Sequence, residues 1–320
     1  TGVQTCALPI SCGGQGLGYE MLCCVALEVG RSMAAIPFGS TIALAAEAIR
    51  SGGSAEQQRH WLPRIARGEC VAAVALAEAP GALSPASIAA TVRGGRLNGR
   101  KVGVADAASA DLLIVLAMQG DAPGLHVVDA RAAGVQVMPQ VGIDPAHAPA
   151  TVTFEAAPAE QLSGFQDWAA IRAWLDRAAV VLAFEQVGTA DVALEMATSY
   201  ARTRTAFGRL IGSFQAIKHK LADMYVAIEL GRSNAYYGAW ALSTESSQLP
   251  LAAAAARVAA SDAYYFAAKE NIQAHGGMGF TWEVDCHLFY RRAKLLALQA
   301  GGPAVWKEKL VQRLEKRNAA

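Results

Sequence analysis

The residues of this 320-residue chain that could do chemistry are few, and most lie in its second half. "RTRTAFGRLIGSFQ" holds Arg204, Phe207 and Gln215, and "QAHGGMGF" holds Gln273, Gly276 and Gly277. A guanidinium fork and backbone amides laid bare by glycine are the parts from which proteins build grips for phosphate groups. Each part also has a plainer reading. Arg204 suits an ordinary surface position beyond a helix end, Gln215 a solvent-facing place near a helix start, and the glycine pair a helix stop. For the glycines the two readings are compatible, because a helix end with a bare loop is both. His219 and His275 titrate near neutrality, yet neither has a serine, cysteine or paired acid at a supporting spacing, which favours core or surface roles. The six cysteines form no CxxC pair and no cluster with histidine, so neither a zinc site nor a disulfide framework is legible. Reduced thiols in a cytoplasm fit them best.

Those residues need a large frame, and the composition supplies one. The chain is 53% hydrophobic and only 17% charged, with much of the apolar share alanine, a strong helix former that lets helices approach closely. A net charge of +1 gives no long-range field to gather nucleic acid or an anionic membrane surface. No apolar run reaches the roughly 18 to 20 uncharged residues that span a bilayer, so neither a nucleic-acid nor a membrane role is expected.

Residues 1–18, "TGVQTCALPISCGGQGLG", have no helical or strand period and no secretory signature. They read as an irregular head, a truncation scar or an assembly artefact, and "GGQGLG" lacks the preceding strand that a phosphate loop requires. From Tyr19 to Gly68 apolar residues recur at three and four, and Ser54 caps a helix, so a small helical unit is expected. Between Val71 and Glu160 short β-branched runs follow one another, with Gly94–Gly95 and Asn98–Gly99 as turns, which suggests a closed or sandwiched β unit. From Phe165 long helices return. The first, to about Thr203, would run on the order of 55 Å. Ser213 caps the next, Pro250 opens another, Gly276 and Gly277 end it, Thr281 caps a fourth, and Gly301 and Gly302 end that one. Antiparallel helices with short connections make a bundle.

"RTRTAFGRLIGSFQAIKHKLADM" and "QAHGGMGF....YRRAK" closely resemble the two C-terminal signatures of acyl-CoA dehydrogenases. "LNGRKVGV" is similar to that family's "NGxKxWI", and "QQRHWLPRIARGE" to its "KxxxLPxxAxGE". The resemblance runs from about Tyr19 to the end. It implies an α+β multidomain fold: a helical N-terminal domain at 19–70, here shortened, a middle β-barrel at 71–160, and a C-terminal four-helix bundle at 161–320 that binds FAD and mediates oligomerisation. By resemblance Arg204 is the pyrophosphate-binding arginine, with Phe207 and a glycine at the right offsets beside it. Gln215 resembles an adenosine-side contact in the neighbouring subunit, and Gln273, Gly276 and Gly277 the loop along the ADP part of the other subunit's cofactor.

The family removes the α-proton of an acyl-CoA with a carboxylate while the β-hydride moves to the flavin, and a well-placed base is worth about 10² to 10⁴ in rate. In most members that acid is the glutamate of "EGT". Counting from Arg291, Arg292, Ala293 and Lys294, the matching positions here are Ala300, Gly301 and Gly302, so no catalytic base is expected in this chain. Some relatives place the acid early in the first bundle helix, where Ala178 stands here. Helical geometry points Asp176 away from Ala178's face and puts Glu185 about two turns on. "AEAPGALSP" replaces the family's "TEPGAGSD", and Gly103, Val104 and Ala105 replace its flavin-adjacent "WIT". The resemblance therefore implies an FAD-dependent acyl-CoA dehydrogenase, or the non-catalytic subunit that completes another chain's FAD site. The glutamate-lacking partner in heterotetrameric steroid side-chain enzymes is the likeness of that kind. Expected partners are an acyl-CoA, a paralogous or identical subunit and an electron-transfer flavoprotein-type acceptor. A flavin-free assembly protein and a flavin monooxygenase or nitroalkane-type oxidase on the same fold are the alternatives.

Overall fold

A computed structural model describes residues 8–319 of the chain; residues 1–7 of the irregular head lie outside the described residues. The fold divides into two compact units. Unit 1 holds residues up to Leu22 and Ala35–Ala178; unit 2 holds Cys23–Ala34 and the residues from Ala179 onward.

In unit 1 a 3-10 turn at Ile10–Cys12 precedes the first turns of α1 (Gly18–Arg31). A buried stretch with widened, π-helical turns, Gly39–Ala46, runs directly into α2 (Glu47–Gly52), and α3 (Ala55–Ala66) follows. Ser54 caps α3 as the sequence predicts, in a reciprocal box with Gln57. The strands are β1 (Ala72–Ala75), β2 (Thr91–Arg93), β3 (Arg96–Ala105), β4 (Leu112–Gln119), β5 (Ala122–Asp129), β6 (Val135–Pro139), β7 (Pro149–Pro158) and β8 (Glu160–Gln161). They form one eight-stranded sheet in the order β6-β7-β3-β2-β4-β5-β8, with β1 alongside β4. Gly94 and Gly95 turn β2 into β3 as expected, both at positive φ. Asn98 and Gly99 do not make a turn. They lie inside β3, where the register against β7 shifts between Leu97 and Gly99, so the glycine serves a bulge that bends the strand. Thr41 ties the helical layer to the sheet: its hydroxyl donates to Ala72 O at 2.8 Å and accepts from Ala72 N at 3.1 Å.

α4 (Trp168–Thr203) belongs to unit 1 as far as Ala178 and to unit 2 beyond it. Unit 2 continues with a hairpin, β9 (Thr205–Ala206) and β10 (Arg209–Leu210), then α5 (Gln215–Ser243), α6 (Leu249–His275), a tight turn at Gly276–Phe280, α7 (Cys286–Leu298) and α8 (Pro303–Asn318). Small residues set its packing. A Cβ on Gly188 of α4 would come within 2.0 Å of Leu27 O, and one on Gly30 of α1 within 2.1 Å of Glu185 O, so the two helices touch backbone to backbone only because both are glycine. Pro250 sits in the first turn of α6 as expected. Two predicted caps are corrected. Ser213 Oγ donates backward to Leu210 O at 2.7 Å, and Thr281 Oγ1 to Met278 O at 2.9 Å. α5 and α7 instead start after Phe214 and Asp285, without a side-chain cap.

Among the described residues no helix is long and apolar enough to cross a membrane.

Candidate functional site

The two-residue loop of the β9–β10 hairpin is Phe207–Gly208, with φ of 52° and 78°, the double positive φ of a type I′ turn. That geometry throws the Phe207 ring outward, 95% exposed. Arg204 stands between the end of α4 and the hairpin; its amide donates to Tyr200 O and its carbonyl accepts from Ile211 N, both at 2.8 Å. Its guanidinium is exposed and bonds to nothing among the described residues. Gln215, the first residue of α5, and Gln273, in the last turn of α6, are likewise exposed with uncommitted amides.

His275 joins these elements. Its ring stacks on Tyr200 at 4.1 Å between centroids, and its Nδ1 sits 2.9 Å from Asn271 O. This buried packing role is the one the sequence favoured for it. Tyr200 is one turn before Arg204 and His275 is next to Gly276, so the stack holds the C-terminal ends of α4 and α6 together. Lys220 of α5 pairs with Glu270 of α6 and fixes the start of α5 at the same end. Arg204, Phe207, Gln215, Gln273, Gly276 and Gly277 are thereby gathered at one end of the bundle. His219 is exposed and bonds to nothing among the described residues.

The two glycines differ. Gly276, at φ 61° and ψ −136°, has a backbone that side chains rarely adopt, and it ends α6. Gly277 has no such need: its φ is ordinary, and a Cβ there would meet nothing within 4 Å. Neither conformation nor packing within the chain requires a bare backbone at Gly277.

Ala300 is elsewhere. It lies in the loop between α7 and α8, half-buried, at φ 59°. Arg257 holds that loop from the middle of α6. One guanidinium nitrogen donates to Gln299 O at 2.7 Å and to Leu296 O, and the other to Gln186 Oε1 at 2.6 Å. Complete burial pulls Arg257 down to about 10, with Glu185 opposing the fall. From Arg257 to His275 is 18 residues of one helix, about 27 Å. The expected base position and the gathered residues are therefore remote within this chain. The other expected acid position, Ala178, is 0% exposed, and Asp176 and Glu185 are 3% and 4% exposed. Residues 178–190 are buried all round, so the face-by-face reading of α4 does not separate these residues.

In unit 1 the segment from Ala77 meets β3, with Val102 N donating to Ala77 O at 2.8 Å. Lys101, 0% exposed, donates to Glu78 Oε1 at 2.7 Å and Leu76 O at 3.1 Å, and Glu78 also accepts from Ala89 N and Ala90 N at 2.8 and 3.0 Å. Burial alone would raise the Glu78 carboxyl, but the Lys101 ammonium and the two amides hold it below the usual carboxylate range. Sequence reasoning did not find this brace, although both residues stand in segments it singled out. Among the described residues no group of three His, Cys, Asp or Glu is arranged to hold a metal.

Comparison with known proteins agrees with this architecture. Residues 1–69 match the model of the acyl-CoA dehydrogenase N-terminal domain, and residues 167–314 that of the acyl-CoA dehydrogenase C-terminal domain. Acyl-CoA dehydrogenase IpdE2 of Mycobacterium tuberculosis is 48% identical over 118 residues, which are 37% of this chain and 35% of that protein. Acyl-CoA dehydrogenase FadE27 of the same organism is 31% identical over 317 residues, covering 94% of this chain and 82% of FadE27. Among solved structures, a variant of the Tcur3481–Tcur3483 steroid ACAD superposes with a TM-score of 0.89 at 32% identity, covering 100% of this chain and 87% of that one. With a fold of helical layer, sheet and bundle and a match to FadE27 over 94% of its length, the chain belongs to the acyl-CoA dehydrogenase family.

Proposed function

We propose that this chain is the base-lacking, FAD-site-completing subunit of an acyl-CoA dehydrogenase assembly that oxidises an acyl-CoA thioester across its α and β carbons. The observation that carries this reading is the separation inside unit 2. Uncommitted Arg204, Gln215 and Gln273 and the open backbone of Gly277 share one end of the bundle, while the position where the family keeps its acid is Ala300, in the loop held by Arg257, which stands about 27 Å back along α6 from His275. Residues so placed suit a dinucleotide whose reacting ring belongs to another subunit's centre.

The donor set fits FAD. Arg204 would pair with its pyrophosphate through charge-assisted bonds, Gln215 and Gln273 would bond the adenosine side, Phe207 would offer an apolar face, and Gly276 and Gly277 would let it approach backbone amides. FAD, when bound, supplies the acceptor for the hydride leaving the β carbon. This chain grips and orients, and its Ala300 methyl has no means of taking the α-proton.

A paralogous, glutamate-bearing partner is supported by the likeness to a structure named for two proteins, Tcur3481 and Tcur3483. A steroid-derived acyl-CoA rests on the same name. An electron-transfer flavoprotein-type acceptor and a cytoplasmic setting, where cysteine thiols stay reduced, complete the reading.

Co-expression with such a paralogue tests it: the complex should retain flavin and oxidise acyl-CoA, and this chain alone should do neither. Turnover by the isolated chain at the rate of the complex overturns the reading.

A further inference from the structure

The hairpin that follows Arg204 carries a second guanidinium, which that reading leaves unused. β9 and β10 pair Ala206 with Arg209 and Thr205 with Leu210. Ile211 N donates to Arg204 O at 2.8 Å, so the ladder runs one pair further, to Arg204 and Ile211. Paired residues share a face, and the faces alternate along each strand, which sets Arg204 and Arg209 on one side of the hairpin as diagonal neighbours. Such neighbours stand about 7 Å apart, within joint reach for side chains as long as arginine.

Arg209 is aimed. Its guanidinium carbon lies 4.0 Å from the centroid of the Phe214 ring, and Phe214 meets Phe207 edge-on at 6.3 Å. Stacking occupies the flat face of a guanidinium and leaves its N–H donors, which lie in the plane, open. Arg209 is exposed, and those donors bond to nothing among the described residues. The platform under it is fixed: a Cβ on Gly212 would come within 2.7 Å of Ala201 O, so the chain leaving the hairpin lies against the last turn of α4. No acid answers the two charges. Glu270, which ties α6 to α5 at this end, is already met by Lys220 and Lys269, and no acid among the described residues is bonded to Arg204 or Arg209. Two like charges on one face repel each other, and an anion that bridges them removes that cost.

We propose that Arg209 is a second diphosphate-binding residue, paired with Arg204 across the hairpin, and that Phe214 is the positioning residue that aims it. The inference rests on the reading of this end of the bundle as a dinucleotide grip and adds to it one guanidinium for each phosphoryl group. A diphosphate ester of adenosine is the chemistry that two such forks fit. FAD and an acyl-CoA both carry one, and the test separates them.

Equilibrium dialysis of the full chain in complex with its glutamate-bearing paralogue tests it. Arg209→Ala should raise the FAD dissociation constant about tenfold or more, as expected when a charge-assisted bond is lost, with the melting temperature of the flavin-free chain unchanged. Phe214→Leu keeps both charges but removes the ring beneath Arg209, and it should raise the same constant several-fold. If Arg209→Ala retains FAD as before but binds hexanoyl-CoA about tenfold more weakly, the residue is assigned to the thioester's diphosphate. The proposal is overturned if Arg209→Ala binds both ligands as the unaltered complex does, or if its loss of FAD comes with an equal loss of melting temperature, which makes Arg209 part of the frame. Phe214→Leu protein that binds both ligands as before overturns the positioning role. A loss of FAD by Arg204→Ala alone leaves the flavin reading standing without this addition; when neither arginine matters to either ligand, both fall.

Discussion

In the sheet Lys101 is wholly buried and its ammonium is held by Glu78 and the Leu76 carbonyl. At the Gly276 end of the bundle Arg204 is just as cationic, yet its guanidinium is exposed and idle. The difference separates two uses of charge. A buried ion pair is part of the frame: removing one partner strands the other in a medium that does not solvate it. An exposed group with no partner adds nothing to the frame, so its value has to come from what it meets. The same contrast divides the glycines: Gly276 is required by its own backbone, whereas Gly277 is bare for no reason internal to the chain.

The sharpest break would come from moving the acid. In the FAD-loaded complex, removing the partner's own glutamate should lower acyl-CoA oxidation about a thousandfold, the scale of a positioned general base, and Ala300→Glu in this chain should not restore it; a restored rate would place a reacting flavin beside Ala300 and overturn the division of labour. Next, Glu78→Gln should cost about 3 kcal/mol of unfolding free energy at neutral pH, measured by denaturant titration. In the native state Glu78 titrates below the usual range, so its contribution is full above the unfolded carboxylate's pKa and is lost as pH falls through the folded value. The curves of the two proteins should converge in acid, and a gap that stays constant would remove the ion pair as its cause. Arg204→Ala should weaken FAD binding by about 2 kcal/mol, near thirtyfold, while leaving the melting temperature of the flavin-free chain unchanged; a large drop in that temperature would erase the distinction between frame and surface. Smallest is Gly277→Ala: flavin affinity should fall several-fold while the flavin-free chain gains about 0.5 kcal/mol from reduced freedom of the unfolded state.

What the sequence made legible was local. The Ser54 cap, the proline opening α6, the glycine ending it and the run of short strands depend on neighbours within a few residues, and the structure has them. Asn98–Gly99 shows the limit, because a turn and a bulge use the same residue types and only the partner strand decides between them. Ser213 and Thr281 show another: a hydroxyl that can accept from the next helix can as easily donate to the turn behind it. Tyr19, Glu47, Arg50 and Arg177 come together across as many as 158 positions, and no periodicity announces that. The residues proposed to grip FAD could be named as a set only because they form two short words of a family's signature; their convergence depends on the Tyr200–His275 stack, whose tyrosine lies outside both words.

The hairpin tip has a consequence for protein engineering. Phe207 occupies a left-handed corner that asparagine or glycine fills at less cost, and it holds its ring in water. A laboratory selection for heat resistance alone, blind to any ligand, should discard that phenylalanine early, and the winners would be sturdier molecules with a poorer hold on their cofactor.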